Sequence, residues 1–511
     1  MKTSAAPPPR SARDVVRIGT TKMLPAGAAI LSYGGRPYYK SGDVPDYLEA
    51  LPNVSSDAVR FLADGALAVR WRLKANLRWS DGQPVTAHDV EFACRAEPHP
   101  QLQGVRVENE REVVLTWKDR LAEGFKPPGI YPRHALEQAF ASGGLSAMEK
   151  LRQSAPTPGL GPYRAVDFVD GQRVRLERNP HFPGMPAAIR RVEVVAYETG
   201  AALTAAFERG EIDITAPNAL SVEEALDLNS RRPDAVTIRA TPQYSYLQPD
   251  ITHPLLGRRD VRRAILMAID RDALAREVHG GLGTVAHTPT AGAPPAGAVI
   301  HRYDLKAARD VLVAAGAAGT AIPLYHRAVL TEQRSAERVA ADLRAVGLNI
   351  EMRPVSMEQY FSLWRERRHG GLLFGVSQVD EETPATSVWN LPERDGWWDV
   401  AARNEAFDNE VAELAEREAH ALYPERRAQL RAALFARYSD RLPNLPLTFG
   451  SERLVADPCL QGREASPGSP LGRGIHRWYF LPAAVSQPAP ASGPARDRGD
   501  LSVRRKVLYH R

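Results

Sequence analysis

Cysteine is almost absent from this chain. Its 511 residues hold two, Cys94 and Cys459. That excludes a disulfide-built scaffold and any metal cluster made from cysteine alone. Whether the two are bridged depends on a fold the sequence does not give, so bridge and free thiols both stay open. Long apolar runs are missing too. No stretch of about 18 apolar residues occurs, so no membrane-spanning helix is expected. Charge of one sign is also scarce. The 66 Lys+Arg against 61 Asp+Glu leave a net charge of +5. A mild basic excess without a cluster gives no ground for a nucleic-acid face, and no nucleic-acid partner is expected.

The usual catalytic signatures are missing as well. There is no His-Glu-x-x-His, no Cys-x-x-Cys, no phosphate-binding Gly-x-x-x-x-Gly-Lys and no Gly-x-Ser-x-Gly elbow. Gly280-Gly281-Leu282-Gly283 lacks the third glycine of a dinucleotide fingerprint. The 13 histidines are scattered. No enzyme and no cofactor are expected. The start, Met1 to Ser11, is charged and proline-rich without the apolar core of an export signal. A mature form, a mis-assigned start and cytoplasmic residence all fit that.

What is present reads as globular. Hydrophobic residues make up 43% and charged residues 25%, ordinary for a packed protein of two to four domains' length. Val69, Trp71, Leu73, Leu77 and Trp79 alternate with Arg70, Arg72, Lys74 and Arg78. Period 2 with polar partners predicts an antiparallel strand with one wet face. Ser80-Asp81-Gly82-Gln83 predicts a turn. Thr86 to Phe92 predicts a helix, with Asp89 completing a capping pair on Thr86. Strands are expected at Val15–Gly19, Val113–Trp117, Arg173–Glu177, Val192–Ala196 and Ile212–Ile214. A helix over Leu203–Arg209 should close on Gly210. Helical faces follow at Val261, Ile265, Ala268 and Ile269, at Ala307–Ala315, and at Val339, Leu343 and Val346. Two more stripes, Phe407 to Leu422 and Leu430 to Tyr438, flank Pro424, the first interrupted by Glu418. Strand and helix alternate, so an α/β fold is expected.

Six collinear blocks give a sharper reading. LKANLRWSDGQPVTAHDVEF (73–92) carries Trp79, Asp81-Gly82, Thr86-Ala87, Asp89-Val90 and Phe92. PGLGPYRAVDFVDGQRVRLERNPHF (158–182) carries Gly159, Gly161-Pro162-Tyr163, Arg178-Asn179-Pro180 and Phe182. The others are Ala201–Ile214, DVRRAILMAIDRD (260–272), Tyr303–Gly316, and Leu414–Leu447 with Leu442-Pro443-Asn444-Leu445-Pro446-Leu447. Together these resemble the extracytoplasmic solute-binding proteins of family 5, the peptide- and nickel-type receptors of ABC importers.

The resemblance implies a two-lobed periplasmic-binding-protein-like α/β fold of type II with an extra subdomain, mixed sheets, flanking helices and hinge strands. It implies lobe I over 14–245 plus 447–482, including the subdomain at about 50–150, and lobe II over 246–446. Residues 1–13 and 483–511 are expected to be flexible ends. It implies capture of an oligopeptide or dipeptide-like solute by lobe closure and delivery to permease subunits, by a periplasmic or cell-surface monomer. A cytoplasmic ligand sensor and a nickel or metal-chelate receptor are the alternatives. Asp380, just past the Leu372–Val379 strand, takes the place of the carboxylate that pairs with a peptide's amino terminus. Trp389, Trp397 and Trp398 offer aromatic contact area, or pack on the lobe. Tyr246, in a presumed hinge strand, faces either cleft or core. The run Arg258, Arg259, Arg262 and Arg263 reads as a solvated helix face, or else as a clamp for a ligand carboxylate.

Overall fold

The computed structural model describes residues 13–21, 45, 47–120, 122–169, 171–379, 383, 385–394, 397–463 and 474–481. The tail from 483, nearly all of the leading segment 1–13, and Asp380 lie outside them. Three sheets organise the described chain, each with its own core.

The four-stranded sheet is antiparallel, in the order Val59–Phe61, Leu67–Arg72, Glu112–Trp117, Leu102–Asn109. The odd-numbered apolar residues expected to face inward do so: Val69, Trp71, Leu73, Leu77 and Trp79 are all buried in its core. The strand itself stops at Arg72. Asn76 takes a left-handed conformation, φ +60, which turns the chain yet leaves Leu77 and Trp79 pointing inward. The helix Ala87–Ala96 follows, capped by Thr86 and Asp89 as expected.

A five-stranded sheet runs in the order Tyr163–Val169, Arg173–Arg178, Arg191–Ala196, Val15–Thr20, with the short strand Ile214–Thr215 at its edge. Its corner is built by the Arg-Asn-Pro motif. The buried Asn179 donates Nδ2 to the Gly161 carbonyl at 2.8 Å and accepts from His181 N at 2.9 Å. The Tyr163 hydroxyl donates to the Ile189 carbonyl at 2.9 Å.

The six-stranded sheet is mixed, in the order Thr284–Val285, Leu445–Val455, Val236–Pro249, Leu372–Gln378, Ala321–Arg327, Asn349–Val355. Helices Arg259–Ala268, Leu305–Ala314 and Leu330–Ala345 supply the core on one face. Helices Asn409–Ala419 and Pro424–Arg441 supply the other.

Val236–Pro249 and Leu445–Val455 are the longest strands among the described residues, and they join the sheets. They pair antiparallel from Val236↔Val455 to Leu247↔Leu445. One end meets the five-stranded sheet through an Ile214↔Ala456 bridge and a Val455 N to Thr215 Oγ1 bond of 3.1 Å. The other end lies inside the six-stranded sheet. Between them the register shifts twice, at Ala240/Tyr244 and Tyr244/Tyr246. Such irregularities bend and twist a strand pair.

Two sequence expectations change, and one question left open by the sequence is answered. Glu418 does not interrupt its helix's buried face by facing water: it is buried and accepts from Arg427 Nε at 3.1 Å and Arg431 Nη1 at 3.5 Å. Arg262 is not on a solvated face. It is 0% exposed, while Arg258, Arg259 and Arg263 are exposed. Cys94 and Cys459 are free and belong to different cores. Burial pushes the Cys94 thiol up to about 12, so it stays protonated. Among the described residues no helix is long and apolar enough to cross a membrane.

Candidate functional site

Open α/β sheets bind ligands outside the carboxyl ends of their parallel strands, where loops diverge and backbone groups are unpaired. Here Ala321–Arg327 is parallel to both Asn349–Val355 and Leu372–Gln378. All three therefore end at one edge. Two helices start there, Leu330–Ala345 after Val329 and Met357–Glu366 after its cap Ser356. The same edge adjoins the crossing strands, because Gln378 pairs with Gln243 beside the register shift. A loop edge next to a bend between two sheets is where a solute could be gripped from both sides.

The side chains at this edge are mixed. Arg327 pairs with the buried Glu332 and lies 5.0 Å over the Tyr360 ring. That pair holds the guanidinium above its ordinary range against the opposing effect of burial. Met357 (51% exposed) and Phe361 (41%) stand one helical turn apart and leave apolar surface open.

The site residues expected from sequence meet different fates. Asp380 lies outside the described residues. The backbones of Trp397 and Trp398 form a small hairpin with Glu393–Arg394; their side chains are outside the described part. Trp389 is 0% exposed, its ring 5.9 Å from Phe407 and 6.0 Å from Tyr438, so in this structure it packs in the core. Tyr246 is 5% exposed and faces inward. Its hydroxyl accepts from Trp364 Nε1 at 3.2 Å, and its ring lies 5.3 Å from that of Tyr244. Burial raises the pKa of both tyrosines, so both keep their protons.

Sequence reading missed Trp364, Arg327 and the bolt behind them. Arg367, at a left-handed helix end, donates to Gln248 Oε1 and to the Leu391 carbonyl, and lies 4.7 Å over the Trp364 ring. Asn390 donates to the Pro249 and Pro443 carbonyls at 2.8 and 3.0 Å. These contacts pin Asn390 and Leu391 to the ends of both crossing strands. The helix Met357–Glu366 has a readable Ser356…Gln359 capping pair that could have revealed it. Among the described residues, no group of three or more His, Cys, Asp or Glu side chains could hold a metal ion.

Two bodies joined by two crossing strands, with a loop edge at the bend, define a two-lobed α/β binding fold. The solved structures agree. An oligopeptide-binding protein from Thermus thermophilus, solved with a pentapeptide, superposes with TM-score 0.74 at 19% identity, covering 91% of this chain and 96% of that one. AppA of Bacillus subtilis, solved with a nonapeptide, gives 0.74 at 14%, covering 93% and 100%. NikA of Brucella suis, in complex with Fe(III)-EDTA, gives 0.72 at 17%, covering 91% and 100%. The pattern of the bacterial extracellular solute-binding proteins, family 5 Middle, matches residues 58–396. The chain belongs to that family. By sequence it is 26% identical over 260 residues to the probable D,D-dipeptide-binding periplasmic protein DdpA of Escherichia coli, covering 44% of this chain and 47% of that protein. It is 25% identical over 243 residues to the oligopeptide-binding protein AppA of Bacillus subtilis, covering 44% and 43%. These alignments span about half the length of the curated relatives.

Proposed function

We propose that this chain is the substrate-binding receptor of an ABC importer. It captures an oligopeptide or dipeptide-like solute between lobe I, residues 14–245 plus 447–482, and lobe II, residues 246–446, and presents it to permease subunits. It works as a monomer at the periplasmic or outer cell surface, by binding and release without catalysis. The observation that carries this reading is the strand-end edge beside the irregular crossing pair. A solute at that edge makes contacts available only when the lobes approach, and differential affinity then favours the closed form.

Within this reading Asp380 takes the peptide's ammonium, a charge-assisted contact in a site that closure dries. Trp397 and Trp398 supply contact area. Tyr246 and Trp389 act from behind, as packed supports. The relatives named for peptides support the solute class.

The test is thermal unfolding with separate probes: a defined tetrapeptide pool, nickel–histidine, and a sugar–opine mixture. Peptides should raise Tm by mass action. Asp380→Ala should lose most of that shift while keeping the Tm of the free protein. A response to nickel–histidine alone, or full peptide binding by Asp380→Ala, would overturn the respective part of the proposal.

A further inference from the structure

A polar contact ties the four-stranded sheet's body to a helix of the six-stranded sheet. Asp119 lies just after the Glu112–Trp117 strand of that sheet. His420 ends the helix Asn409–Ala419, which packs in the Tyr246–Trp389 core of the six-stranded sheet. His420 Nε2 is 2.8 Å from Asp119 Oδ2, and Nδ1 is 2.6 Å from the Glu416 carbonyl oxygen. Beside them, Ala419 packs against the core of the four-stranded sheet.

Both ring nitrogens of His420 therefore face acceptors. A neutral imidazole has one N–H and one lone pair, so one of these contacts would set lone pair against lone pair. The doubly protonated ring satisfies both. The groups around it agree. From its own helix come the Glu416 carbonyl and carboxylate. From the sheet come Asp119 and, next to it, Arg120, which lies 5.1 Å over the Phe61 ring. Partial burial disfavours the charged ring, yet the Glu416 carbonyl and Asp119 outweigh it and raise the histidine's pKa. The Arg120 amide and then His420 hold Asp119 below its ordinary value.

We propose that His420 and Asp119 form a pH-sensitive latch that holds the extra subdomain against the lobe II helices and biases the receptor toward closure in mildly acidic surroundings. The inference rests on the receptor reading for the meaning of closure alone; the latch itself needs no solute. The sign follows from linkage. A proton bound more tightly in the latched form favours that form below histidine's ordinary value, and the bias disappears as pH rises through the raised value. Because both side chains are partly exposed, the change in the latched-to-open ratio should be on the order of two- to five-fold.

The experiment measures distances between spin labels on Ser55→Cys and Glu413→Cys in a Cys459→Ser chain, without solute, by pulsed electron resonance at pH 5.5 and 8.5. The short-distance population should be larger at pH 5.5. Asp119→Asn and His420→Gln should remove that dependence, and His420→Arg should keep the short population at both values. Persistence of the pH dependence in Asp119→Asn, or His420→Arg behaving like His420→Gln, would overturn the latch. Failure of every solute to bind would sink the receptor reading and leave these distances unchanged.

Discussion

The indole N–H of Trp79 donates to Oδ2 of Asp89 at 3.3 Å. Two residues of the most recognisable sequence block thus meet inside the four-stranded sheet's body. The same buried carboxylate accepts from Thr86 N at 2.8 Å and from Arg133 N at 2.9 Å. It starts one helix and anchors the next, Arg133–Ser154. Burial raises its pKa, and the three N–H donors oppose that effect.

Asp89→Ala should therefore cost stability without touching solute affinity per folded molecule. It strips acceptors from three N–H groups, and each buried donor left unpaired costs about 1–3 kcal/mol. Urea unfolding should show a loss of at least about 2 kcal/mol. Wild-type stability in Asp89→Ala would mean that water replaces the carboxylate.

Arg262 has the same logic beside the core of the six-stranded sheet. Its guanidinium donates to the carbonyls of Leu442 (2.9 Å), Leu256 (3.1 Å), Gly257 (2.6 Å) and Arg441 (2.8 Å), and pairs with Glu405. It ties the helix Arg259–Ala268 to the left-handed turn that ends Pro424–Arg441 and leads into a crossing strand. Arg262→Ala should destabilise by at least about 2 kcal/mol, because it leaves buried carbonyls without a donor, and Arg262→Lys should recover little, since one ammonium cannot span that fork. By contrast Arg263→Ala, at an exposed position, should change Tm little. Equal effects at the two positions would refute the structural role.

The sequence blocks were legible because they are scaffold: Asp89, Asn179 and Arg262 each bond backbone groups of neighbouring segments. Period and turn chemistry pointed to most strands around them. The long strand Val236–Pro249 was less legible, since it is wet at one end and buried at the other, so no single period runs through it. Arg262 was misread because a charge run looks solvated until the carbonyls around it are known. Trp389 was a plausible ligand contact for a similar reason: an aromatic after a strand end has the same local signature whether it meets solute or, as here, Phe407 and Tyr438. Gathering the site requires knowing which strand ends share an edge, and that is tertiary information.

Trp364 and Tyr246 link the Met357–Glu366 helix to a crossing strand. Gly375 makes room for the tyrosine, since a Cβ there would lie 2.5 Å from Cζ of Tyr246. Tyr246→Phe should cost about 1 kcal/mol through the lost hydroxyl. Gly375→Ala should cost about 1–3 kcal/mol, because the ring must move. It should also red-shift Trp364 fluorescence as the indole loses its seat. A Gly375→Ala protein with unaltered stability and emission would show that the ring relocates freely.

His369 is a buried group whose charging opposes the fold. It is buried, neither ring nitrogen has a hydrogen-bond partner among the described residues, and its ring meets Tyr325 edge-on at 5.9 Å. Burial lowers its pKa to about 4, with nearby Arg367 adding to the effect and Asp250 opposing it. The folded protein thus keeps His369 neutral, while the unfolded chain takes up a proton near its ordinary value of about 6.5. The contribution is complete above that value and shrinks as pH falls from 6.5 toward 4, by up to about 1.4 kcal/mol per pH unit. Urea unfolding at pH 7.0 and 4.5 should show this loss in the wild type. His369→Gln cannot titrate, so its stability should fall less between the two values, even if it starts lower at pH 7.0. An identical pH slope in the two proteins would place the acid sensitivity elsewhere, with His279, whose pKa burial also lowers to about 4, the next residue to replace.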